Sequence, residues 1–114
     1  MMANTTIFSK IISGEIPCDK LYEDDLSIAF NDIAPQAPTH YLVIPKKQII
    51  NLSYCEDIDK NLLGHLLLVG KNIAIKKNLK NWRTVINNGE ESGQTVFHLH
   101  IHFLSGRPMK WPPG

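Results

Sequence analysis

Two cysteines in 114 residues, Cys18 and Cys55, are too few and too far apart for a disulfide scaffold or a CxxC metal or redox pair. Both read as reduced, small, half-buried residues. Charge of one sign is also lacking: a formal net charge of +1 leaves no footprint for non-specific nucleic-acid binding. The one local excess, Lys76, Lys77 and Lys80, reads as the C-terminal face of a helix. No apolar run approaches the roughly 20 residues a membrane-spanning helix needs. The stretch Met1-Met2-Ala3-Asn4-Thr5-Thr6 has no charged region followed by an apolar one, so neither a leader nor a membrane partner is expected, and the cytoplasm is the expected compartment. No repeat, low-complexity segment or composition break marks a second unit. One domain over residues 1–114 is expected, with a core over 7–106 and an extended tail over 107–114.

What the chain has is histidine in one place. Three of its five histidines lie in Phe97-His98-Leu99-His100-Ile101-His102-Phe103-Leu104, at strict two-residue spacing. On a strand this puts the three imidazoles on one face and Phe97, Leu99, Ile101 and Phe103 on the other; a helix would scatter them. Three chemistries suit such a face: zinc ligation by His98, His100 and His102, nucleophilic attack by a neutral imidazole, or plain polar residues on a wet face. Crowded imidazoles repel when protonated, which makes the last an odd use of three.

The remaining elements follow from period and punctuation. Ile7, Phe8, Ile11 and Ile12 recur at helical spacing between Thr5 or Thr6 as N-cap and Gly14 as stop. Leu21-Tyr22-Glu23 and Leu26 to Phe30 read as a hairpin turning at Asp24-Asp25, with Leu26, Ile28 and Phe30 on one face. Its second strand ends at Asn31-Asp32, a place suited to gripping a ligand or to a plain Asx turn. Pro35 and Pro38 stiffen the connection that delivers His40 to the strand Tyr41-Leu42-Val43-Ile44. A long helix is expected from Ile58 to about Lys77, with Asp57 as N-cap, with His65 at its surface and with Gly64 and Gly70 packed close to the sheet. Trp82 to Ile86 reads as a strand, Asn87-Asn88-Gly89 as a turn, and the Gly93-Thr95 loop as a source of N–H groups for an anion. Trp111, in a proline-rich tail, needs a surface to lie on, such as a partner subunit. Strands interrupted by one long helix, with short connections, argue for an α+β fold with a largely antiparallel sheet whose edge a second subunit would cover.

The run His98 to Leu104 matches in full the His-φ-His-φ-His-φ-φ motif of the histidine-triad superfamily. The similarity extends through Phe30-Asn31-Asp32-Ile33, Pro35 to His40, Gly93-Gln94-Thr95-Val96 and Trp111-Pro112-Pro113-Gly114, covering the chain from about Ile7 to its end. It resembles the branch of histidine-triad nucleotide-binding proteins that act as purine nucleoside phosphoramidases. The resemblance implies a five-stranded antiparallel sheet with a short N-terminal helix and one long helix, joined across a homodimer into ten continuous strands, and no cofactor or metal. It also implies His100 as nucleophile on phosphorus, with His40, His98 and His102 completing the catalytic cluster. Asp32 and Ile33 would meet the ribose of a purine nucleotide. Asn87, Gly93, Gln94, Thr95 and Val96 would surround its phosphate, and Ile7, Phe8, Ile11, Ile16, Phe30 and Leu42 would form the purine slot. Trp111 would lie near the partner's site. Ser92 and Ser105 depart from that branch, where glycine is expected.

Overall fold

A computed structural model describes residues 5–114; Met1 to Asn4, on which the expectation of no leader partly rests, lie outside the described residues. No helix of the described residues is long and apolar enough to cross a membrane. The elements are α1 (Ile7–Ile12), β1 (Lys20–Glu23), β2 (Ser27–Asn31), β3 (Thr39–Pro45), α2 (Lys60–Lys76), β4 (Arg83–Val85) and β5 (Ile101–Ser105). The five strands form one antiparallel sheet in the order β1-β2-β3-β5-β4. The α+β architecture with one long helix is thus the one the sequence implies.

Strand alternation divides the core in two. Ala29, Tyr41, Val43, Ile101 and Phe103 face α2 and pack on Leu66, Val69 and Ile73. Ile28, Phe30, Leu42 and Ile44 face the other way and pack on Phe8 and Ile11 of α1. Leu26, expected on that second face, is half exposed in the hairpin turn, where the Asp24 carboxylate accepts from the amides of Leu26 and Ser27. α1 opens with a reciprocal cap: Thr6 N–H donates to Ser9 Oγ and Ser9 N–H to Thr6 Oγ1.

The long helix starts two residues later than its apolar period suggests. Residues Asp57–Asp59 form a 3₁₀ turn, so Asp59 and not Asp57 precedes the helix, and its carboxylate is occupied by Glu56 N–H and Lys47 Nζ. Ile58, Leu67 and Ile75, within the stretch expected to be helical, are exposed. Gly64 has open space where a side chain would go, so the close packing expected of it is absent. At Gly70 it is extreme: a Cβ there would lie 1.9 Å from Phe103 Cζ. The Phe103 ring stacks on Tyr41 at 5.2 Å, and the Tyr41 hydroxyl donates to the Gly70 carbonyl at 2.8 Å. Gly70→Ala should therefore destabilise the protein by about 1–3 kcal/mol despite the better helix propensity of alanine. Urea denaturation checks this, and Phe103→Leu in the same chain should recover part of the loss.

Candidate active site

The histidine run is strand-like in its facing but only half of it is strand. β5 begins at Ile101: its ladder with β3 stops at the Val43–Ile101 pair, although β3 itself runs on through Ile44 to Pro45, which has no N–H to give. Phe97 to His100 are held instead by Leu99 N–H to Ile49 O and by the His98 ring, whose Nε2–H donates to Pro45 O at 2.8 Å. The alternation survives: Leu99, Ile101 and Phe103 are buried against α2, while the three imidazoles lie on the α1 side. Phe97 does not pack with its expected partners; it is 38% exposed.

Each imidazole has a different neighbourhood, and the hydrogen bonds dictate the proton positions. His100 Nδ1–H donates to the His98 carbonyl at 2.7 Å, so the lone pair of a neutral ring is on Nε2. Phe8 meets this ring edge-on, centroid to centroid 4.9 Å. Gln36 N–H donates to His40 Nδ1 at 3.0 Å, which leaves the His40 proton on Nε2. That proton points at His102 Nδ1, 2.9 Å away, and at Asp32 Oδ2, 3.4 Å away. His102 must accept at Nδ1 and so carries its own proton on Nε2. Burial pushes all four imidazoles below the usual histidine range, and His102, which also feels His100 and His40, falls to about 4. At neutral pH the cluster is a set of uncharged rings with defined tautomers. The Nδ1 of His98, fully buried, has no partner among the described residues.

Ligand atoms of Asp32, His40 and His102 lie within 4.8 Å of one another, close enough to share a cation. The donor set does not suit one. A ligating imidazole needs its second nitrogen protonated and donating, whereas His40 Nδ1 receives an N–H from Gln36; a metal on Nε2 would leave the ring with no proton at all. The alternative zinc set, His98 with His100 and His102, is not assembled: among the described residues, Asp32, His40 and His102 form the only such group whose ligand atoms come this close together.

A pocket of about 320 Å³ opens in front of His100 and His102. Ile7, Phe8, Ile11, Ile16, Phe30, Leu42, Ile33, Asp32, Thr95 and Val96 line it, all of them singled out in the sequence. Pro17, Cys18 and Asn31 line it too; Asn31 falls in the strand end noted as suited to gripping a ligand, whereas nothing in the types of Pro17 and Cys18 signals a pocket. A larger groove, about 790 Å³, between residues 78–83 and 104–109 contains none of the histidines.

Three expected phosphate contacts are not at the pocket wall. Gln94 is only 1% exposed, and its side chain is spent on Asn51 Nδ2, Gly89 N–H, Ile50 O and Val96 O. Its amide goes to Gly89 O and that of Gly93 to Glu90 O, closing the 3₁₀ turn Glu90–Ser92 with Gly93 at φ +99°. Gln94 therefore bolts three loop segments together, and of this loop Thr95 and Val96 are the residues left at the pocket wall, with amides that make no backbone bond among the described residues. The Asn87 side chain lies against Gly93 instead. Of the two serines that stand for glycine, Ser92 is exposed in the turn. Ser105 is buried and donates to Asn81 O, tying the end of β5 to the segment before β4.

The HIT domain profile matches residues 13–109. The chain belongs to the HIT family. It is 58% identical to uncharacterised HIT-like proteins of Synechococcus elongatus and Synechocystis, over 99% of this chain and all of each relative. Among solved structures, a HIT family hydrolase from Legionella pneumophila superposes with a TM-score of 0.94 at 45% identity, over 96% of this chain and 100% of the other. A histidine triad protein from Clostridium difficile does so with 0.90 at 41%, over 96% and 97%.

Proposed function

We propose that this HIT protein is a hydrolase of the nucleotide-binding branch, a purine nucleoside phosphoramidase that cleaves the P–N bond of adenosine or guanosine 5′-phosphoramidates through a nucleotidyl-histidine. The observation that carries the reading is the His100 tautomer, whose free Nε2 lone pair belongs to a neutral ring on the wall of an apolar pocket. A neutral imidazole is a competent nucleophile without a separate base. Attack on phosphorus forms the N–P bond and breaks the P–N bond to the leaving amine; water then cleaves the nucleotidyl-imidazolium, returning the lone pair to His100 and a proton to the group that protonated the amine. The apolar wall of Phe8, Ile11, Phe30 and Leu42 suits a purine, Asp32 and Ile33 a ribose, and the Thr95 and Val96 amides a phosphoryl oxygen gaining charge. The hydrolase names of structural relatives support the reaction class.

The leaving nitrogen must gain a proton, and His102 Nε2–H is the donor the tautomer chain presents. An imidazole N–H is a stronger acid than an amine, so the transfer runs downhill as the P–N bond breaks, and the cation forming on His100, 5.0 Å away between ring centroids, offsets the charge left behind. No step calls for a metal. Purified protein should release nucleoside monophosphate and amine from such phosphoramidates, and strong chelators should leave the rate unchanged. No turnover across a panel of purine phosphoramidates would end the proposal.

The working unit is proposed to be a cytoplasmic homodimer. β1 and β4 leave two sheet edges open, and Trp111 is 83% exposed in the single chain. Light scattering at micromolar concentration should give twice the 12.9 kDa chain mass; a monomer would overturn the assembly. Truncation before Met109 should keep the fold and alter substrate preference.

A further inference from the structure

The His40–His102 pair is oriented from outside the pocket. His40 could hold its proton on either nitrogen, and the choice decides whether His102 presents an N–H or a lone pair to the substrate. The group that chooses is the Gln36 amide, which lies on an exposed loop between Pro35 and Pro38 and must be held in place to act. The loop is braced at two points: Gln36 Nε2 donates to Ala34 O at 2.9 Å, and Arg107 Nε donates to Gln36 O at 3.0 Å. Arg107 sits just beyond β5, lines the larger groove and not the pocket, and makes its other bond to Pro108 O.

We infer that Arg107 is a positioning residue for the reaction: through Gln36 it locks His40 in the Nε2–H tautomer and so keeps a proton on the pocket-facing nitrogen of His102. The hydrogen bonds form one directional chain, Arg107 Nε–H to Gln36 O, Gln36 N–H to His40 Nδ1, and His40 Nε2–H to His102 Nδ1. When the Gln36 amide withdraws, the chain can reverse. His40 then carries Nδ1–H, its Nε2 accepts from His102 Nδ1–H, and His102 turns a bare lone pair to the leaving amine. The charged and titratable groups beside the pair are Asp32 and His100; the Asp32 carboxylate, 3.4 Å from His40 Nε2, also favours a proton on that nitrogen, while the Gln36 amide is what keeps the proton off Nδ1. The tautomer lock stands on these bonds alone; its effect on turnover rests on the phosphoramidase reading.

Two substitutions separate the donor from the charge. Arg107→Met removes the donor and keeps most of the side-chain bulk. Arg107→Gln places an amide N–H at the position of the arginine Nε with no charge. Long-range ¹H–¹⁵N correlation spectra should show single Nε2–H tautomers for His40 and His102 in the wild type, mixed tautomers in Arg107→Met, and wild-type tautomers in Arg107→Gln. In Arg107→Met, kcat on an alkylamine phosphoramidate should fall by roughly fivefold, the worth of one hydrogen bond, with KM unchanged. A nitrophenyl nucleotide ester, whose leaving group needs no proton, should be cleaved at the wild-type rate. Unchanged tautomers in Arg107→Met, or equal loss in both variants, would overturn the lock. Mixed tautomers with full kcat on the amine would overturn its role in turnover. Were the wild type to cleave no phosphoramidate, the spectra would still decide the lock while the proposed activity failed.

Discussion

Replacing His100 by alanine should abolish turnover, by about 10⁴-fold or more, while the protein still binds a purine nucleotide. The asymmetry follows from what the ring contributes. It supplies the Nε2 lone pair, which nothing else can replace: His98 is turned to Pro45 O, and the His102 proton sits on the nitrogen that would have to attack. The apolar wall from Ile7 to Leu42 and the Thr95 and Val96 amides stay in place, so the dissociation constant should change only a few-fold. His100→Asn guards against a reading based on the cavity left beside Phe8, since it fills much of that space and still lacks the nucleophile. A rapid quench of wild type into alkali during turnover of an adenosine phosphoramidate should give a nucleotidylated peptide whose fragments place the nucleotide on His100, forming and decaying at rates compatible with turnover. Activity in His100→Ala, or no adduct at any quench time, would rule out the covalent route. The acid limb of kcat/KM should lie below the usual histidine range of about 6.5, because burial disfavours the protonated ring and so preserves the lone pair as pH falls.

The sequence makes the two faces of β5 legible, and with them the side on which chemistry occurs, because alternation needs only the pleat. It does not show where the strand begins. The interruption at His100 is a long-range matter: β3 runs on opposite it through Ile44 to Pro45, which has no N–H to give, and Leu99 N–H goes to Ile49 O instead. The apolar pocket wall is legible through the resemblance, but Gln94 is not legible as a strut. A glutamine beside glycine and threonine in a loop looks like a ligand contact until the four groups it bonds are brought together from residues 50, 51, 89 and 96. Similarly, His65 reads as a surface residue on α2, whereas it reaches Asp24 Oδ2 at 2.7 Å and fastens the helix to the first hairpin. The bonds of His65 to Asp24 and of Gln94 to Ile50 and Asn51 span 41 or more residues, which no local period encodes. The Gln36 amide is the extreme case, since a backbone N–H has no signature in the sequence at all.

His102→Ala should divide substrates by their leaving group. General acid assistance contributes roughly 10²–10⁴-fold where the departing atom cannot leave as an anion. An alkylamine is such a group, so kcat on an alkylamine phosphoramidate should fall by about that factor. A nitrophenolate leaves without a proton, and the same variant should cleave a nitrophenyl nucleotide ester within a few-fold of wild type. The reason lies in the order of the chain Gln36 to His40 to His102: each link donates inward, and only the last N–H reaches the pocket. Removing His102 takes away that proton and leaves His100 with its bond to the His98 carbonyl intact, so attack on phosphorus is still available. His40→Ala should show the same pattern more weakly, because it loosens His102 without deleting it. If His102→Ala slowed both substrates equally, its ring would be acting on the phosphoryl group or on the fold, and the proton would have to come from elsewhere. If it slowed neither, the amine would be leaving with a proton carried by the substrate itself.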